Sequence, residues 1–356
     1  MKRTDKLRAR LLEKGIDACL VTSELSQRYL CGYPFTDGLL LITKTRSIMV
    51  TDFRYYEEAQ KKAFDEFEIV MPDTRIAYIT DALKSEGVKV IGYENETLSC
   101  ADFKRYSDKL SDFEFAPIDA TLETIREIKD ANELEMMAKA QSIADAALAH
   151  LLKVIHPNMT EIDVALELEF QMRRGGAENV SFETIAVSGD ASALPHGKPR
   201  NLKLQKGFLT MDFGALYGGY CSDMTRTVSI GKADSEMKRL YDTVLKAQLA
   251  GLAAVKPGAD CADCDKAARD IIDGTEGFAG TFGHSLGHGV GLYIHESPRL
   301  SKGGKGTKLT PGHVVTVEPG IYVFGKYGCR IEDMVAVTED GYRNFASSPK
   351  ELIELF

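Results

Sequence analysis

The chain has 356 residues, of which 44% are hydrophobic and 27% charged, with a formal net charge of −9. These proportions are typical of a globular protein with a large core, and the length favours two domains. The negative charge argues against a nucleic-acid partner. No apolar run approaches the roughly 20 residues of a membrane span, and the N-terminus MKRTDKLRARLLEKG is not a signal peptide. Seven scattered cysteines favour reduced thiols, so the predicted location is cytoplasmic.

The first part of the sequence alternates helix-like and strand-like segments. Helices are predicted at Lys6–Lys14, which Gly15 ends, and at Phe53–Ala63. Strands are predicted at Ala18–Thr22, Leu39–Thr43, Ser47–Thr51 and Val88–Gly92. This alternation predicts an α/β domain over residues 1–122, followed by a second domain over residues 123–356. We interpret the segment Phe115–Ile128 as the connection.

The second part contains a weak internal repeat with a period of about 100 residues. This second part opens with a predicted helix, at whose start Asp130 and Glu133 have the spacing of a capping box. In each copy a long helix is followed by a proline, a capping residue and a second helix, with Thr160 in the first copy matching Asp260 in the second. A strand-rich segment follows each copy. The repeat predicts two similar halves with a shared site at their junction, and the alternative is a chance similarity of two amphipathic helices.

Two pairs of acidic residues lie on predicted hairpins. In MDFGALYGGYCSDMTRT, a turn centred between Tyr217 and Gly218 would place Asp212 and Asp223 directly opposite one another. Like charges at that cross-strand position are destabilising, so the pair indicates a cation between them. Glu318 and Glu332 flank a second predicted hairpin in the same way. A bulge in either hairpin would break this register.

Four histidines lie in two segments near these acids. His284, His288 and His295 occur in the glycine-rich run GHSLGHGVGLYIHE, and His196 occurs in ALPHGKP. Two Asp, two Glu and one His form a ligand set that suits a pair of divalent ions such as Mn, Co, Zn or Fe. Such a centre activates a water and polarises a carbonyl, which is hydrolytic chemistry. A single acid beside a turn is more often a turn former, so the prediction of a metal centre depends on all five ligand-type residues occurring together.

Taken together, four motifs resemble those of the metallopeptidases with the pita-bread fold, which include methionine aminopeptidase, aminopeptidase P and prolidase. The motifs are MDFGALYGGYCSDMTRT, GHGVGL, TVEPGIY and RIED. The segments SQRYLCGY and REIKDANELEMMAKA resemble the proline-peptidase branch, which has an extra N-terminal domain. The resemblance implies an α/β (α+β) fold, with a creatinase-like N-terminal domain and a C-terminal pita-bread domain of two pseudo-symmetric halves.

The resemblance also implies five ligands for two divalent metal ions, of which manganese is favoured. Asp212 would hold one ion, while Asp223 and Glu332 would bridge both. His288 and Glu318 would complete the coordination of the other ion.

Further roles follow from the same resemblance. Glu318 would also move the proton of the bridging water. His196 and His295 would position the scissile amide and stabilise the tetrahedral intermediate. Arg299 and Arg330 would bind the substrate carboxylate or support the ligands, with neutralisation of the crowded acids favoured for Arg330.

The predicted activity is hydrolysis of an N-terminal Xaa-Pro bond in a small peptide with proline second. The short chain favours an Xaa-Pro dipeptidase, or prolidase, over aminopeptidase P, which acts on longer peptides. A metal-free binding module and a creatinase-type enzyme are alternatives that the complete ligand set disfavours. The resemblance further implies a homodimer. Charge and the lack of a long apolar run predict no nucleic-acid or membrane partner.

Three cysteines need separate interpretation. Cys221 shares a strand face with Asp223 in the predicted pairing, so its thiol either approaches the metals or packs as a small side chain, and packing is favoured. Cys261 and Cys264 form a C-x-x-C at a predicted helix start. The sequence has no second C-x-x-C pair, and this disfavours a redox or zinc role for Cys261 and Cys264.

Overall fold

The computed structural model describes residues 2–356. The chain divides into two compact units, the first ending at Arg126 and the second being Glu127–Phe356. The division falls within the helix Asp119–Glu127, close to the boundary predicted between residues 122 and 123. No helix among residues 2–356 has both the length and the apolar character that a membrane crossing requires.

The first unit is built on one six-stranded mixed sheet. Its strands are β1 (Ala18–Val21), β2 (Leu39–Ile42), β3 (Ser47–Val50), β4 (Glu68–Val70), β5 (Val90–Tyr93) and β6 (Glu114–Pro117). They lie in the order β4-β3-β2-β1-β5-β6. The helices are α1 (Arg3–Glu13), α2 (Glu24–Cys31), α3 (Phe53–Lys62), α4 (Arg75–Ser85), α5 (Cys100–Lys109) and α6 (Asp119–Glu127). Strands β1 to β3 are buried along their whole length, as in sheets that are covered on both faces.

The second unit begins with two helix pairs and their strands. The first half contains α7 (Ala131–Val154), α8 (Glu161–Arg174), β7 (Asn179–Val180), β8 (Ile185–Ser188), β9 (Gly207–Phe213), β10 (Ala215–Tyr217), β11 (Tyr220–Cys221) and β12 (Met224–Ile230). The second half contains α9 (Ser235–Ala254), α10 (Cys261–Asp273), β13 (Gly287–Gly289), β14 (Glu296–Leu300), β15 (Val314–Val317), β16 (Gly320–Val323), β17 (Tyr327–Arg330) and β18 (Asp333–Val337). The last strands are β19 (Tyr342–Asn344) and β20 (Glu354–Leu355).

Equivalent local structures recur in the two halves. The predicted capping box at the start of α7 is present, since the Asp130 carboxylate accepts from Glu133 N at 3.0 Å and Glu133 accepts from Asp130 N at 2.8 Å. Isolated β-bridges join Thr160 to Lys203 in the first half and Asp260 to Lys308 in the second. Each half also has its own apolar core. These correspondences confirm the predicted two-half organisation.

The register of the first hairpin differs from the prediction. Tyr217 pairs with Tyr220, so the turn is Gly218-Gly219, and Asp212 faces Thr225 rather than Asp223. Both turn glycines have positive φ, 59° and 83°, which the tight turn of a hairpin requires and a tyrosine at Tyr217 adopts poorly. Asp223 therefore lies diagonally from Asp212, on the same face of the hairpin.

The second hairpin has the predicted register. Val317 pairs with Asp333 and Gly320 pairs with Arg330, and both pairs belong to one continuous register that places Glu318 opposite Glu332.

Candidate metal centre

A cavity of about 950 Å³ in the second unit contains the predicted ligands. Its lining includes all five of them, Asp212, Asp223, His288, Glu318 and Glu332. It also includes the other predicted site residues, His196, His295, Arg299 and Arg330. Residues more than 100 positions apart in the sequence thus share one cavity.

The ligand side chains lie at or beside strand ends of both halves. Asp212 is on β9, His288 is on β13, and Asp223, Glu318 and Glu332 lie one residue outside β12, β15 and β18. Ligand atoms of Asp223, His288 and Glu332 all lie within 4.8 Å of one another. His288 Nε2 is 3.6 Å from Asp223 Oδ2 and 3.5 Å from Glu318 Oε1.

Hydrogen bonding determines the tautomer of His288. Its Nδ1 lies 3.0 Å from the carbonyl oxygen of Gly289, which can only accept, so Nδ1 carries the proton. The lone pair of Nε2 is therefore directed at the acids. Burial lowers the pKa of His288 to about 4, which keeps the ring neutral at physiological pH. A neutral imidazole is the form that binds a metal ion.

The acids of the cavity are crowded and buried. Burial, followed by the charges of neighbouring acids, raises the pKa of Asp223 and of Glu332 well above the ordinary range. Burial also raises the pKa of Glu318 to about 8, although the Arg330 guanidinium opposes this. One arginine does not compensate several buried carboxylates, and divalent cations would do so.

The residues fit a divalent metal site. Asp212 Oδ2 accepts from Arg330 Nη2 at 2.7 Å, but Asp212 Oδ1 is buried and has no hydrogen-bond partner within residues 2–356. A buried carboxylate oxygen without a donor is costly. A metal ion would satisfy it, and carboxylates with one imidazole are ligands that divalent transition ions accept.

Contacts from the first half hold Glu332. The Thr225 hydroxyl donates to Glu332 Oε2 at 2.6 Å, and Glu332 N donates to the Thr225 carbonyl at 3.1 Å. Arg226 Nη1 donates to the Glu332 carbonyl, while Arg226 Nη2 pairs with Asp333 Oδ1 at 2.7 Å. The carboxylate and both backbone groups of Glu332 are thus bound by two adjacent residues.

Tyr322 extends the site and carries no role in the sequence prediction. Its hydroxyl accepts from Arg330 Nη1 at 2.8 Å and lies 3.0 Å from His284 Nε2. His284 Nδ1 lies 2.9 Å from the Ser285 carbonyl and must donate to it, so the Tyr322 hydroxyl donates to Nε2. Burial lowers the pKa of His284 to about 4. In the sequence, Tyr322 lies four residues after Glu318, and this spacing alone does not distinguish a site residue from a tyrosine that is packed in a strand.

The remaining predicted residues lie around the ligands. The His295 ring is 4.5 Å from the His288 ring between centroids, in an edge-to-face arrangement. Burial, followed by the charge of Arg299, lowers the pKa of His295. Arg299 lines the cavity without a side-chain hydrogen bond or ion pair to any residue in 2–356, and His196 is exposed in the loop between β8 and β9. Arg330, in contrast, is buried and paired with Asp212.

The cysteines are packed away from this chemistry. Cys221 lies in an apolar cluster with Tyr220 and Val290, and burial raises the pKa of its thiol to about 12. Burial likewise raises the pKa of Cys261 to about 11 and that of Cys264 to about 12. Neither is in a disulfide.

Comparison with known proteins agrees with this geometry. Residues 135–339 match metallopeptidase family M24, and residues 3–128 match the creatinase/prolidase N-terminal domain. The uncharacterized peptidase YqhT of Bacillus subtilis is 42% identical over 355 residues, which cover 99% of this chain and 100% of that protein.

Two solved structures are similar over nearly their whole length. The Xaa-Pro dipeptidase from Bacillus anthracis is 43% identical with a TM-score of 0.95, covering 99% of both chains. The X-Pro aminopeptidase from Thermotoga maritima MSB8 is 36% identical with a TM-score of 0.91, covering 98% of this chain and 99% of that one. The predicted family and fold are thereby confirmed. The chain belongs to metallopeptidase family M24, as a peptidase in which a creatinase/prolidase N-terminal domain precedes the pita-bread domain.

Proposed function

We propose that this peptidase hydrolyses the Xaa-Pro bond of dipeptides with two divalent metal ions, manganese being favoured. The convergence of five ligand-type side chains from both halves of the second unit supports this most, since one of them, Asp212, keeps a buried oxygen without a donor. When bound, the ions would polarise the scissile carbonyl and lower the pKa of a water. The cytoplasmic location and the homodimer expected from the sequence belong to the same proposal.

The ligand roles in this proposal are those that the family resemblance implies. Asp212 would hold one ion, and Asp223 and Glu332 would bridge both. His288, with Nε2 unprotonated, would complete the second ion's ligands together with Glu318. Arg330 offsets the charge of Asp212 and is itself held by Tyr322.

Three side chains would handle the substrate. Glu318 is 3.5 Å from His288 Nε2 and would carry the water's proton, on a carboxylate oxygen, to the leaving proline nitrogen. His295 and His196 would donate hydrogen bonds to the carbonyl oxygen as negative charge develops there.

Arg299 supports the dipeptide as the substrate. It is a cation in the cavity without a protein partner among residues 2–356. A dipeptide presents its carboxylate one residue from the scissile bond, and an arginine binds a carboxylate with two parallel hydrogen bonds. A longer peptide has an uncharged amide at that position.

Aminopeptidase activity on longer peptides is the second candidate. It is favoured by the similarity to the X-Pro aminopeptidase structure from Thermotoga maritima, at a TM-score of 0.91. The rates on Ala-Pro and Ala-Pro-Ala distinguish the two. Dipeptidase activity predicts a preference for Ala-Pro that Arg299→Gln abolishes, whereas the second candidate predicts Ala-Pro-Ala as the better substrate.

The metal proposal is tested with Asp223→Ala, after verifying its fold by circular dichroism. The variant, incubated with Mn²⁺ or Co²⁺, should lose Ala-Pro hydrolysis by at least about 10³-fold. The matched control is Asp242→Ala, which removes an exposed acid on α9 and should keep full activity. Full activity of a folded Asp223→Ala would refute the proposal.

A further inference from the structure

A single buried carboxylate closes the loop that carries His196. The loop runs from the end of β8 at Ser188 to Arg200, with His196 exposed near its middle. Glu161, the first residue of α8, has no exposed surface and lies between the two ends of this loop. It does not line the cavity, and within residues 2–356 its carboxylate makes no hydrogen bond or ion pair with a proposed ligand.

Five hydrogen bonds converge on Glu161. Oε1 accepts from Ser188 N at 2.7 Å, from Ser188 Oγ at 2.8 Å and from Arg200 Nη2 at 2.7 Å. Oε2 accepts from Arg200 N at 2.9 Å and from Arg200 Nε at 2.8 Å. A carboxylate has about four lone-pair sites, so its capacity is filled by the two loop ends alone.

The partners require a carboxylate at this position. All five groups around Glu161 are donors, and two of them are backbone N–H groups at opposite ends of the loop. A glutamine amide would present one acceptor oxygen and one NH₂ group. The NH₂ hydrogens would face the donors of one loop end and could not form hydrogen bonds with them. Arg200 would also lose the charge of its closer acidic partner, since the Asp190 carboxylate is 4.0 Å away.

The middle of the loop is attached to the metal centre by one further contact. Arg330 Nη1 donates to the carbonyl of Pro195 at 3.2 Å, and Pro195 directly precedes His196. The middle of the loop, next to His196, therefore contacts Arg330 in the cavity, and both ends of the loop bind Glu161.

We propose that Glu161 is a positioning residue for His196, acting through the loop ends at Ser188 and Arg200. This inference rests on the proposed function, because His196 matters to the rate only if it contacts the reacting amide. Loss of the anchor would remove the bonds that join the two loop ends to each other and would shift His196 within the cavity.

A double-mutant cycle with His196→Ala tests the proposal on the metal-loaded full chain. With Ala-Pro as substrate, Glu161→Gln should lower kcat about tenfold or more, since a displacement of about 1 Å is sufficient for such a loss. In the His196→Ala background the same substitution should change kcat less than about twofold, because the residue through which it acts is gone. If the decrease in kcat of the double variant equals the product of the decreases of the two single variants, the proposal is overturned.

A control and a second variant separate positioning from general destabilisation. Glu167→Gln removes an acid on the same helix whose partners are the half-exposed His150 and Gln171, and it should leave kcat unchanged. If Glu161→Gln does not fold, Ser188→Ala, which removes one of the five bonds, takes its place in the cycle.

A readout without substrate makes failure of the inference distinguishable from failure of the proposed function. In NMR spectra of histidine-labelled protein, the His196 ring resonance, assigned by its loss in His196→Ala, should shift in Glu161→Gln while that of His150 stays unchanged. An unchanged His196 resonance would overturn the inference whether or not the protein cleaves Ala-Pro. A wild-type protein that does not cleave Ala-Pro would refute the proposed function alone.

Discussion

The Thr225 hydroxyl donates to Glu332 Oε2 at 2.6 Å and thereby connects the two halves of the second unit at the metal centre. Thr225 lies on β12 of the first half, and Glu332 directly precedes β18 of the second. Since Glu332 N also donates to the Thr225 carbonyl, one threonine orients both the backbone and the carboxylate of a proposed bridging ligand. Packing of the halves therefore decides where this carboxylate lies.

Thr225→Val should weaken Mn²⁺ binding about tenfold or more, because partners that orient metal ligands typically contribute 10–100-fold to affinity. Valine keeps the shape of threonine but cannot donate to Glu332. Isothermal titration calorimetry on the apoprotein measures the change. Thr243→Val, at a buried threonine that donates to Arg239 O within α9, is the control and should keep the affinity. Equal affinities of Thr225→Val and wild type would contradict the prediction.

Chelation should destabilise the second unit, because removal of the ions leaves the buried acids to repel one another. Ligand binding to the folded state alone contributes about 4 kcal/mol at a concentration 1,000 times Kd. Melting temperatures measured with Mn²⁺ and with EDTA should therefore differ by several degrees. Asp212→Asn should bind fewer ions per chain, by elemental analysis. Identical melting curves with and without metal would argue against ions at this site.

Glu161 should make stability depend on acid pH. Burial by itself would raise its pKa, but hydrogen bonds from Arg200 and Ser188 outweigh burial and lower the pKa below the ordinary 4.5. The folded state then binds fewer protons than the unfolded state, so this stabilisation is present above about pH 4.5 and is lost as the pH falls through the folded-state pKa.

Urea unfolding measures this contribution. Glu161→Gln should lower the free energy of unfolding by about 2–3 kcal/mol at pH 7, as expected for lost charge-assisted hydrogen bonds. The difference from wild type should narrow below about pH 4.5. A difference that is constant from pH 7 to pH 3 would show that the carboxylate charge is not responsible.

Lys129 and Glu296 form a buried ion pair beside His295, with Nζ 2.9 Å from Oε2 and side chains only 1% and 6% exposed. Lys129→Met should destabilise the second unit by about 3–5 kcal/mol, because it removes the cation that is paired with the buried Glu296 carboxylate. The double variant Lys129→Met, Glu296→Leu should lose less than Lys129→Met alone, since the buried negative charge is removed together with the cation. A larger loss in the double variant, by urea unfolding, would contradict this account.

Thiol titration should separate one cysteine from the rest. Of the seven, Cys100 is exposed and the other six are buried. A buried thiol with a raised pKa, as at Cys221, reacts slowly because the thiolate is the nucleophile. The native protein should therefore react rapidly with one equivalent of Ellman's reagent, and Cys100→Ser should react with none. A second rapid equivalent that disappears in Cys221→Ser would show that this thiol is accessible from the metal cavity.

Local patterns in the sequence predicted several local features of the second unit. The capping box at Asp130 and the register that places Glu318 opposite Glu332 follow from residue spacing alone. The turn of the first hairpin was predicted one residue too early, which shifts the cross-strand pairing by two residues, because Tyr217-Gly218 and Gly218-Gly219 are both plausible turns in the sequence. Only the backbone, with positive φ at both glycines, distinguishes them.

The sequence by itself determined which side chains are available and which strand faces they share, because alternation along a strand is a local property. Tertiary structure alone decided the supporting contacts. Thr225 reaches Glu332 across 107 positions, and Arg330 reaches Asp212 across 118. Such contacts depend on how the two halves pack, and no spacing rule within a strand or helix specifies them. Glu161 is the same case, since a helix-start glutamate gains its role only when Ser188 and Arg200 close around it.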